Sequence, residues 1–527
     1  MMKKMIASLA LLAATLFSLS AKSITIGIRN PSEFNAVCAS VQTALKGGYD
    51  DITVRFDKRV FYFNENHFNL VNLKYPGVKL TFDGGGATLI GAGYDLNASR
   101  KKKNRYVATW FGYNWREGII DLDNLADVRP FGPLRQSKGK IEIVNAASGL
   151  CRMPSDEADL RSPAGMYIQF SSWYQGLIYP VTKIEKGYIY FTVNNLTKNG
   201  GYYNIEGDRQ YAGMNPKYQL INDPSAEVWW SGGKLRFKKK GHYHVCLASE
   251  AIVVGDCHLK GLEFKNFNFL GNSDSAEILM HVYRTVGPVS VNHCSFRGIR
   301  NLVISSVETS GASYNDNIVE GCYRGFLRLF RESVGTQVCR NVMRDNQLLM
   351  NNYFQITCRG KNFTITDNVI SDFTYGAIGL GDHFTVAGGA VCSGVVEGNE
   401  IYYTEEYRKA PSRTLMDSGA IYCWTQQQNV VIKNNYIHDY TGTKDNRGIF
   451  GDDGTCNTTV TGNRILRIGN SYCIDFRRVS SVETMSNSSV KKTNVGIKMS
   501  DNIIDGKVRF EPRSGDKTSR KGTNKVL

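Results

Sequence analysis

The chain is poor in several features that would point to other kinds of protein. Its twelve cysteines stand singly, with no CxxC, which speaks against a metal knuckle. No heptad runs through it, so a coiled coil is not expected. After residue 17 no apolar run is long enough to span a bilayer. Prolines number 12 against 52 glycines, a balance that suits many tight turns. The first cysteine is Cys38, too far from the apolar N-terminal stretch to carry a lipoprotein anchor.

What is present begins with a leader. Lys3 and Lys4 precede an apolar run from Met5 to Phe17, followed by Ser18, Leu19, Ser20 and Ala21. This is the pattern of a cleaved signal peptide. Residues 1–21 are therefore read as a leader, and the mature chain as an exported periplasmic or secreted protein without stable membrane insertion. The formal net charge is +16. An exported basic protein is not expected to bind nucleic acid. Charge steers it toward partners of opposite sign, and outside the cell that points to acidic polysaccharide. A monomer is expected.

Residues 22–93 read as a cap and a first coil. A strand from Ile24 to Ile28 precedes a helix from Ser32 to Leu45, with Ser32 as its N-cap. Further strands and the phrase FDGGGATLIG follow. Residues 94–241 are rich in Tyr and Trp, carry basic clusters and form a β-rich insertion or lobe. Its Trp110, Trp115, Trp229 and Trp230 are expected mainly in packing. Residues 242–512 carry a repeat, and 513–527 form a basic tail.

The repeat is a short phrase: two alternating apolar residues, one or two residues, Asn, any residue, then Ile, Val or another apolar residue. It reads NFTITDNVI (Asn362–Ile370), GVVEGNEI (Gly394–Ile401), VVIKNNYI (Val430–Ile437), TVTGNRI (Thr459–Ile465) and GIKMSDNII (Gly496–Ile504). Alternation marks strands. The asparagines at 292, 317, 341, 368, 399, 435, 463 and 502 recur at the spacing of one coil of three short strands. The expected fold is all-β: a right-handed parallel β-helix with an N-terminal capping helix and the inserted lobe. An Asn at the same bend of each coil can bond to its neighbours above and below. These residues are structural.

A second strand in most coils carries the chemistry. Aligned on Met280, Leu327, Ile356, Ile378, Ile421, Ile449 and Ile474, the strands turn outward the residues one and three places on. Those are His281 and Tyr283, Arg328, Arg359, Tyr422 and Trp424, Asp452, and Asp475 and Arg477. Just beyond lie Arg284, Arg331, Asp382, His383 and Asp453. Insertions at YYTEEYRKAPSRTLMD, between Ile401 and Ser418, and at Thr441–Asn446 would wall a cleft beside Tyr422, Trp424 and Asp452. Cys358, Cys423 and Cys473 fall within apolar strands and read as buried thiols.

At GAIYCW, NNYIHD and RGIFGDDG the chain resembles the exported parallel β-helix carbohydrate-active proteins of the pectate-lyase-like superfamily. The resemblance covers roughly Cys246–Pro512. It implies a polysaccharide substrate and leaves the reaction open between lyase and glycoside hydrolase. The first expectation is a lyase that cleaves a uronic-acid polymer, such as chondroitin or hyaluronan, by β-elimination. His383, Tyr422, Arg359, Asp452 and Asp453 would be catalytic. Arg328, Arg331, Trp424, Arg477, His281, Tyr283 and Arg284 would hold substrate. Asp452 and Asp453 would be the ligands of a calcium ion. Lyases of this group often use a Lys or Arg base beside calcium, and the column offers Arg but no clear Lys. The alternative is a glycoside hydrolase that pairs Asp452 or Asp453 with Asp475. A third reading is glycan binding without chemistry.

Overall fold

A computed structural model describes residues 22–527 apart from 111–113, 146, 157–164, 173–174, 194–215, 331, 350–352, 382–391, 410–414, 416, 425–426, 442–445, 453–454, 470–471, 480–495 and 513–518. The leader read at 1–21 lies outside the described residues. Three parallel sheets of thirteen, twelve and eleven strands dominate the fold, and we call them sheets I, II and III. The chain visits them in that order, coil after coil. In one coil Cys392–Glu397 lies in sheet I, Glu400–Tyr402 in sheet II and Ser418–Cys423 in sheet III. The architecture is a right-handed parallel β-helix, the hand that parallel crossovers take.

Each coil closes because alternate residues bury themselves against the coils above and below. In sheet II the middle residue of each strand stacks on the next: Val319, Met343, Ile370, Ile401, Ile437 and Ile465. All six are fully buried. The bend between sheets I and II needs a left-handed residue, and the position before each ladder Asn supplies it with φ between 55 and 66°. Asp, Asn and Gly tolerate that backbone best, and they occupy six of the seven such positions from Asp316 to Asp501, Arg340 being the exception.

The Asn ladder runs from Asn317 through Asn341, Asn368, Asn399, Asn435, Asn463 and Asn502 to Asn524. Each Nδ2 donates to the next Oδ1 at 2.8–3.0 Å. Asn292 is not a rung. Cys294 stands in that place and donates its backbone N–H to Asn317 at 2.9 Å, while Asn292 accepts from the backbone of Asn315. At the other end, Asn524 lies in the segment expected to be a tail. There Arg520–Lys521 and Lys525–Val526 add strands to sheets I and II.

The open N-terminal end is covered by two helices, Pro31–Asn35 and Val37–Lys46, that meet at Ala36. Asn30 caps the first and accepts the Glu33 N–H at 3.0 Å. Ser32, the expected cap, lies inside the helix, because Pro31 takes the first helical position and the cap falls two residues earlier, at Asn30. Eleven of the twelve cysteines are buried. Burial pushes the thiols of Cys294 and Cys322 up to about 12.

Between Gly93 and Cys246 the chain leaves the coils and builds three antiparallel sheets of four, seven and four strands. This lobe seats on the bends between sheets II and III. The buried Asp127 accepts from Arg300 at 3.1 Å and from the Tyr323 hydroxyl at 3.2 Å. Arg129 pairs with Asp345 at 3.2 Å. Trp115 joins Tyr323, Leu348 and Leu349 in a shared apolar cluster. Trp110 and Trp230 pack within the lobe, and Trp229 lies under Arg236. Among the described residues no helix is long and apolar enough to cross a membrane.

Candidate functional site

Sheet III stacks Met280, Ile304, Leu327, Ile356, Ile378, Ile421, Ile449 and Ile474 on one another. All are buried. Ile304 belongs to a further coil, Leu302–Thr309, absent from the sequence alignment of the column. The position one residue on runs His281, Ser305, Arg328, Thr357, Gly379, Tyr422, Phe450 and Asp475. With about 4.8 Å per coil, His281 stands roughly 24 Å from Tyr422 and Arg328 roughly 14 Å. The candidate residues thus form a track along the helix. They do not form one compact cluster.

The concentrated part of this track surrounds Tyr422. Its hydroxyl donates to Asp452 Oδ2 at 2.5 Å. Tyr375 lies alongside with ring centroids 6.2 Å apart, and its hydroxyl donates to the backbone carbonyl of Asp417 at 3.1 Å. Burial, followed by the charges of Tyr375, Asp452 and Asp417, pushes the Tyr422 phenol well above its ordinary range. Tyr375 moves the same way, by burial first and then by Asp417 and Asp452. Both phenols are therefore proton donors at neutral pH, and Tyr422 is a poor base. Asp452 opens a turn, with Thr455 N–H donating to its carbonyl, yet its carboxylate faces the tyrosine. The turn and the site are the same residue.

An aromatic floor supports this group. Phe354 packs against Tyr375 at 5.2 Å and Tyr422 at 5.5 Å, and Tyr422 meets Phe450 edge-on at 4.9 Å. The Phe354 ring lies across the next coil, where a Cβ on Gly379 would come within 2.4 Å of it and one on Gly376 within 2.6 Å. Glycine at these two positions lets the ring lie flat on the strand. Leu134 of the lobe and Leu415 of the 402–417 insertion complete a small apolar cluster with Phe354 and Tyr375. Both the lobe and the insertion therefore reach the site.

Asp475 does not join Asp452 as a free carboxylate. It is fully buried. Arg447 donates to it at 2.6 Å, and Arg509 clamps it with bonds of 2.7 and 2.6 Å. The second guanidinium arm of Arg447 reaches Asp417 at 3.2 Å. Asp417, Tyr375, Phe354 and Arg447 were absent from the sequence candidates. Strict alternation would place Arg447, two residues before Ile449, inside the core. The strands bend there instead. Pairs such as Leu279 and Met280, Ala377 and Ile378, and Ala420 and Ile421 both face inward, so the residue before each pair emerges on the outer face. Asp417 closes the insertion already noted as a wall, which was its signal.

The other candidates fall apart from this group. Arg284 sits at the bend with φ 47° and is held bidentately by Asp256 at 2.7 Å. It is a structural ion pair. Tyr283 packs over Gly255 and against His281. The guanidinium groups of Arg328 and Arg359 lie 4.5 and 4.4 Å from the centre of the Phe330 ring. Trp424 meets Tyr422 edge-on at 6.1 Å. His383, Asp382, Arg331 and Asp453 lie outside the described residues, as does the side chain of Arg477. Of the two expected calcium ligands only Asp452 is described, and one of its oxygens already accepts the Tyr422 proton. Calcium asks for several oxygen ligands. The described residues contain no group of three or more His, Cys, Asp or Glu placed for a metal.

No family model matches the chain, and no curated protein matches it in sequence. Among solved structures, a glycoside hydrolase superposes with a TM-score of 0.66 at 11% identity, covering 94% of this chain and 98% of that one. The catalytic unit of a thermostable GH87 α-1,3-glucanase from Streptomyces thermodiastaticus matches with a TM-score of 0.31 at 11% identity, over 75% and 96% of the two chains. A tailspike protein of E. coli bacteriophage HK620, in complex with a pentasaccharide, matches with a TM-score of 0.27 at 11% identity, over 54% and 49%. The first of these shares the β-helix over nearly its whole length.

Proposed function

We propose that this chain is an exported glycoside hydrolase that cleaves a polysaccharide lying along the outer face of sheet III, with Asp417 and Asp452 as its two carboxyl groups. The observation that carries this reading is the Tyr422–Asp452 hydrogen bond in the walled part of the track, with Asp417 brought to the same pair of tyrosines. Hydrolysis of a glycosidic bond needs two carboxyl groups, one to protonate the leaving oxygen and one to act as nucleophile or to activate water. Asp452 accepts the hydrogen bond of the Tyr422 hydroxyl. Asp417 is braced by Arg447. The shared fold of the glycoside hydrolase described above is consistent with this chemistry.

β-Elimination finds less support. It needs a cation beside the uronate carboxylate and a competent base near the acidic proton. Beside Tyr422 the described guanidinium groups of Arg447 and Arg509 are engaged by Asp475 and Asp417. Arg359 is two coils away, about 10 Å. Tyr422, with its raised pKa, holds its proton.

The test is to incubate the mature protein with neutral and acidic polysaccharides and follow reducing ends together with the ultraviolet absorbance of unsaturated uronates. New reducing ends without that absorbance are expected. Asp452→Asn and Asp417→Asn should each slow the reaction by about 100- to 10,000-fold, the contribution of a general acid or base. Absorbance rising with the ends would reject hydrolysis in favour of elimination. If neither signal appears on any polymer, the catalytic reading fails.

A further inference from the structure

We propose that the outward face of one small sheet in the inserted lobe is a docking surface for an anionic polysaccharide, apart from the walled part of sheet III. The inference rests on the polysaccharide reading above and adds a second place where the chain grips its polymer.

The positive charge of this chain is concentrated. Residues 99–109 and 228–241 hold ten Lys and Arg and no Asp or Glu, within a net charge of +16 for the whole chain. They build a four-stranded antiparallel sheet in the order Val228–Ser231, Lys234–Phe237, Arg105–Thr109 and Arg100–Lys102. One face of it is apolar. Val228, Leu235, Phe237 and Ala108 are buried there against Tyr243 and Val245 of the strand Gly241–Cys246. Alternation then turns the other set of side chains outward. Pairing places Arg100, Val107, Arg236 and Trp229 in one row across the four strands. With about 4.8 Å between strands, the row is about 14 Å long. Lys102 and Lys234 flank it on opposite sides, and Lys234 pairs with Thr109 and Ser231.

Elsewhere in the lobe a guanidinium is closed by a carboxylate. Arg135 meets Asp223 at 3.3 Å, and Arg152 meets Glu142 at 2.6 Å. Among the described residues no carboxylate pairs with Arg100, Lys102, Lys234 or Arg236. The acids of the turn before Val228 are engaged away from them: Asp223 by Arg135, and Glu227 by the backbone N–H of Arg129 at 3.1 Å. Lys238 and Lys239 line a cavity with Asp121, Asp127 and Glu227 and belong to that more balanced surface. Arg100 and Lys102 are exposed, while Lys234, Arg236 and Trp229 are half-buried. Side chains of this kind bury their stems and keep the charged end in water. Such a row attracts a polyanion, and Trp229 narrows the kind. It stands opposite Arg236, whose guanidinium is 5.4 Å from the centre of its ring. An aromatic ring in a row of cations matches a polymer of sugars, in which apolar ring faces and charged substituents alternate. The hydroxyls of Thr109 and Ser231 add partners for sugar hydroxyls. A phospholipid surface would present the charge without the ring faces.

Binding is measured on the full mature protein carrying Asp452→Asn, so that turnover does not intervene. The probes are polygalacturonate with its carboxyl-reduced form, dextran sulfate with dextran, single-stranded DNA, and phosphatidylserine vesicles. At low salt at least one anionic glycan should bind about tenfold or more tightly than its neutral counterpart, and the pair that shows this tells carboxylate from sulfate. Arg100→Glu together with Lys102→Glu should lower that affinity about tenfold. Trp229→Ala should lower it severalfold. Arg520→Glu together with Lys521→Glu makes the same change in net charge at two exposed positions of the C-terminal segment and should lower it less than about twofold. Equal or absent binding of charged and neutral glycans overturns the docking surface. So does an equal loss in the variant at Arg520 and Lys521, or no loss with Trp229→Ala. DNA or vesicles held as tightly as the glycans, and released by the same substitutions, would overturn the assignment to a polysaccharide. Hydrolysis by the protein with Asp452 intact would survive each of these results. Conversely, a loss confined to the lobe variants, without any new reducing ends, would keep the docking surface and remove the hydrolase.

Discussion

The Asn bend and the outer face of sheet III are both ladders, but they use repetition in opposite ways. At the bend the same residue recurs, and every amide oxygen and nitrogen has the partner that the next coil provides. Asn399 alone accepts the backbone N–H and the Nδ2 of Asn368 and donates to Ile365 and Glu397. On sheet III the stacked apolar residues repeat, while the row beside them changes at every coil from His281 to Asp475. Uniformity satisfies the backbone. Variation leaves distinct side chains side by side, where they can do chemistry. The contrast separates residues that hold the coils from residues that meet a ligand.

Breaking the uniform ladder should have the largest effect on the molecule. Asn399→Ala strands the backbone N–H and Nδ2 of Asn368 and the carbonyl of Ile365. With about 1–3 kcal/mol for each buried unsatisfied group, the loss should be on the order of 4 kcal/mol or more, read from the denaturant midpoint. A shift below about 1 kcal/mol would mean that water or neighbours replace the amide and that the ladder is dispensable.

Asp475 tests where the two regions meet. It stands on the variable face but is treated as structure, buried between Arg447 and Arg509. Asp475→Ala leaves two guanidinium groups without their buried carboxylate and should cost about 3–5 kcal/mol of stability. Turnover by the remaining folded protein should be much less affected than in Asp452→Asn. Loss of turnover at unchanged stability would instead make Asp475 a catalytic carboxylate.

The smallest of the three effects belongs to Tyr422→Phe, which sharpens the comparison from the other side. Removing a hydrogen bond to a charged carboxylate is worth about 1.5–3 kcal/mol. If the bond matters mainly to Asp452 at the reacting bond, turnover should fall about 10- to 100-fold while the melting temperature hardly moves. A fall in melting temperature without a kinetic defect would place Tyr422 among the holding residues.

Much of the scaffold was legible in the order of residues. The Asn phrase carries its own bend signal, since Asp, Gly or Asn precedes nearly every rung. Its one false rung, Asn292, resembles the phrase because a strand residue two places early is also Asn. The vertical register of sheet III could be read from apolar residues alone, and it agrees with the pairing from Leu327 to Ile474, while the Ile304 coil between Met280 and Leu327 was missed. The site was less legible for a specific reason. Alternation assumes a straight strand, and here each strand bends one residue before the aligned position. That bend brings Arg447 outward and lets it reach Asp475 and Asp417, which no spacing rule predicts.

The sequence by itself determined the repeating coil, because a period of apolar residues and a left-handed bend are local properties of the chain. It also determined which coils stack, because burying those apolar residues permits one register. Only the tertiary structure decided which carboxylates are available. Asp452, Asp417 and Asp475 look alike as letters. Their difference lies in what the neighbouring coils place beside them: a phenol at Asp452, one arm of an arginine at Asp417, and two closed guanidinium clamps at Asp475.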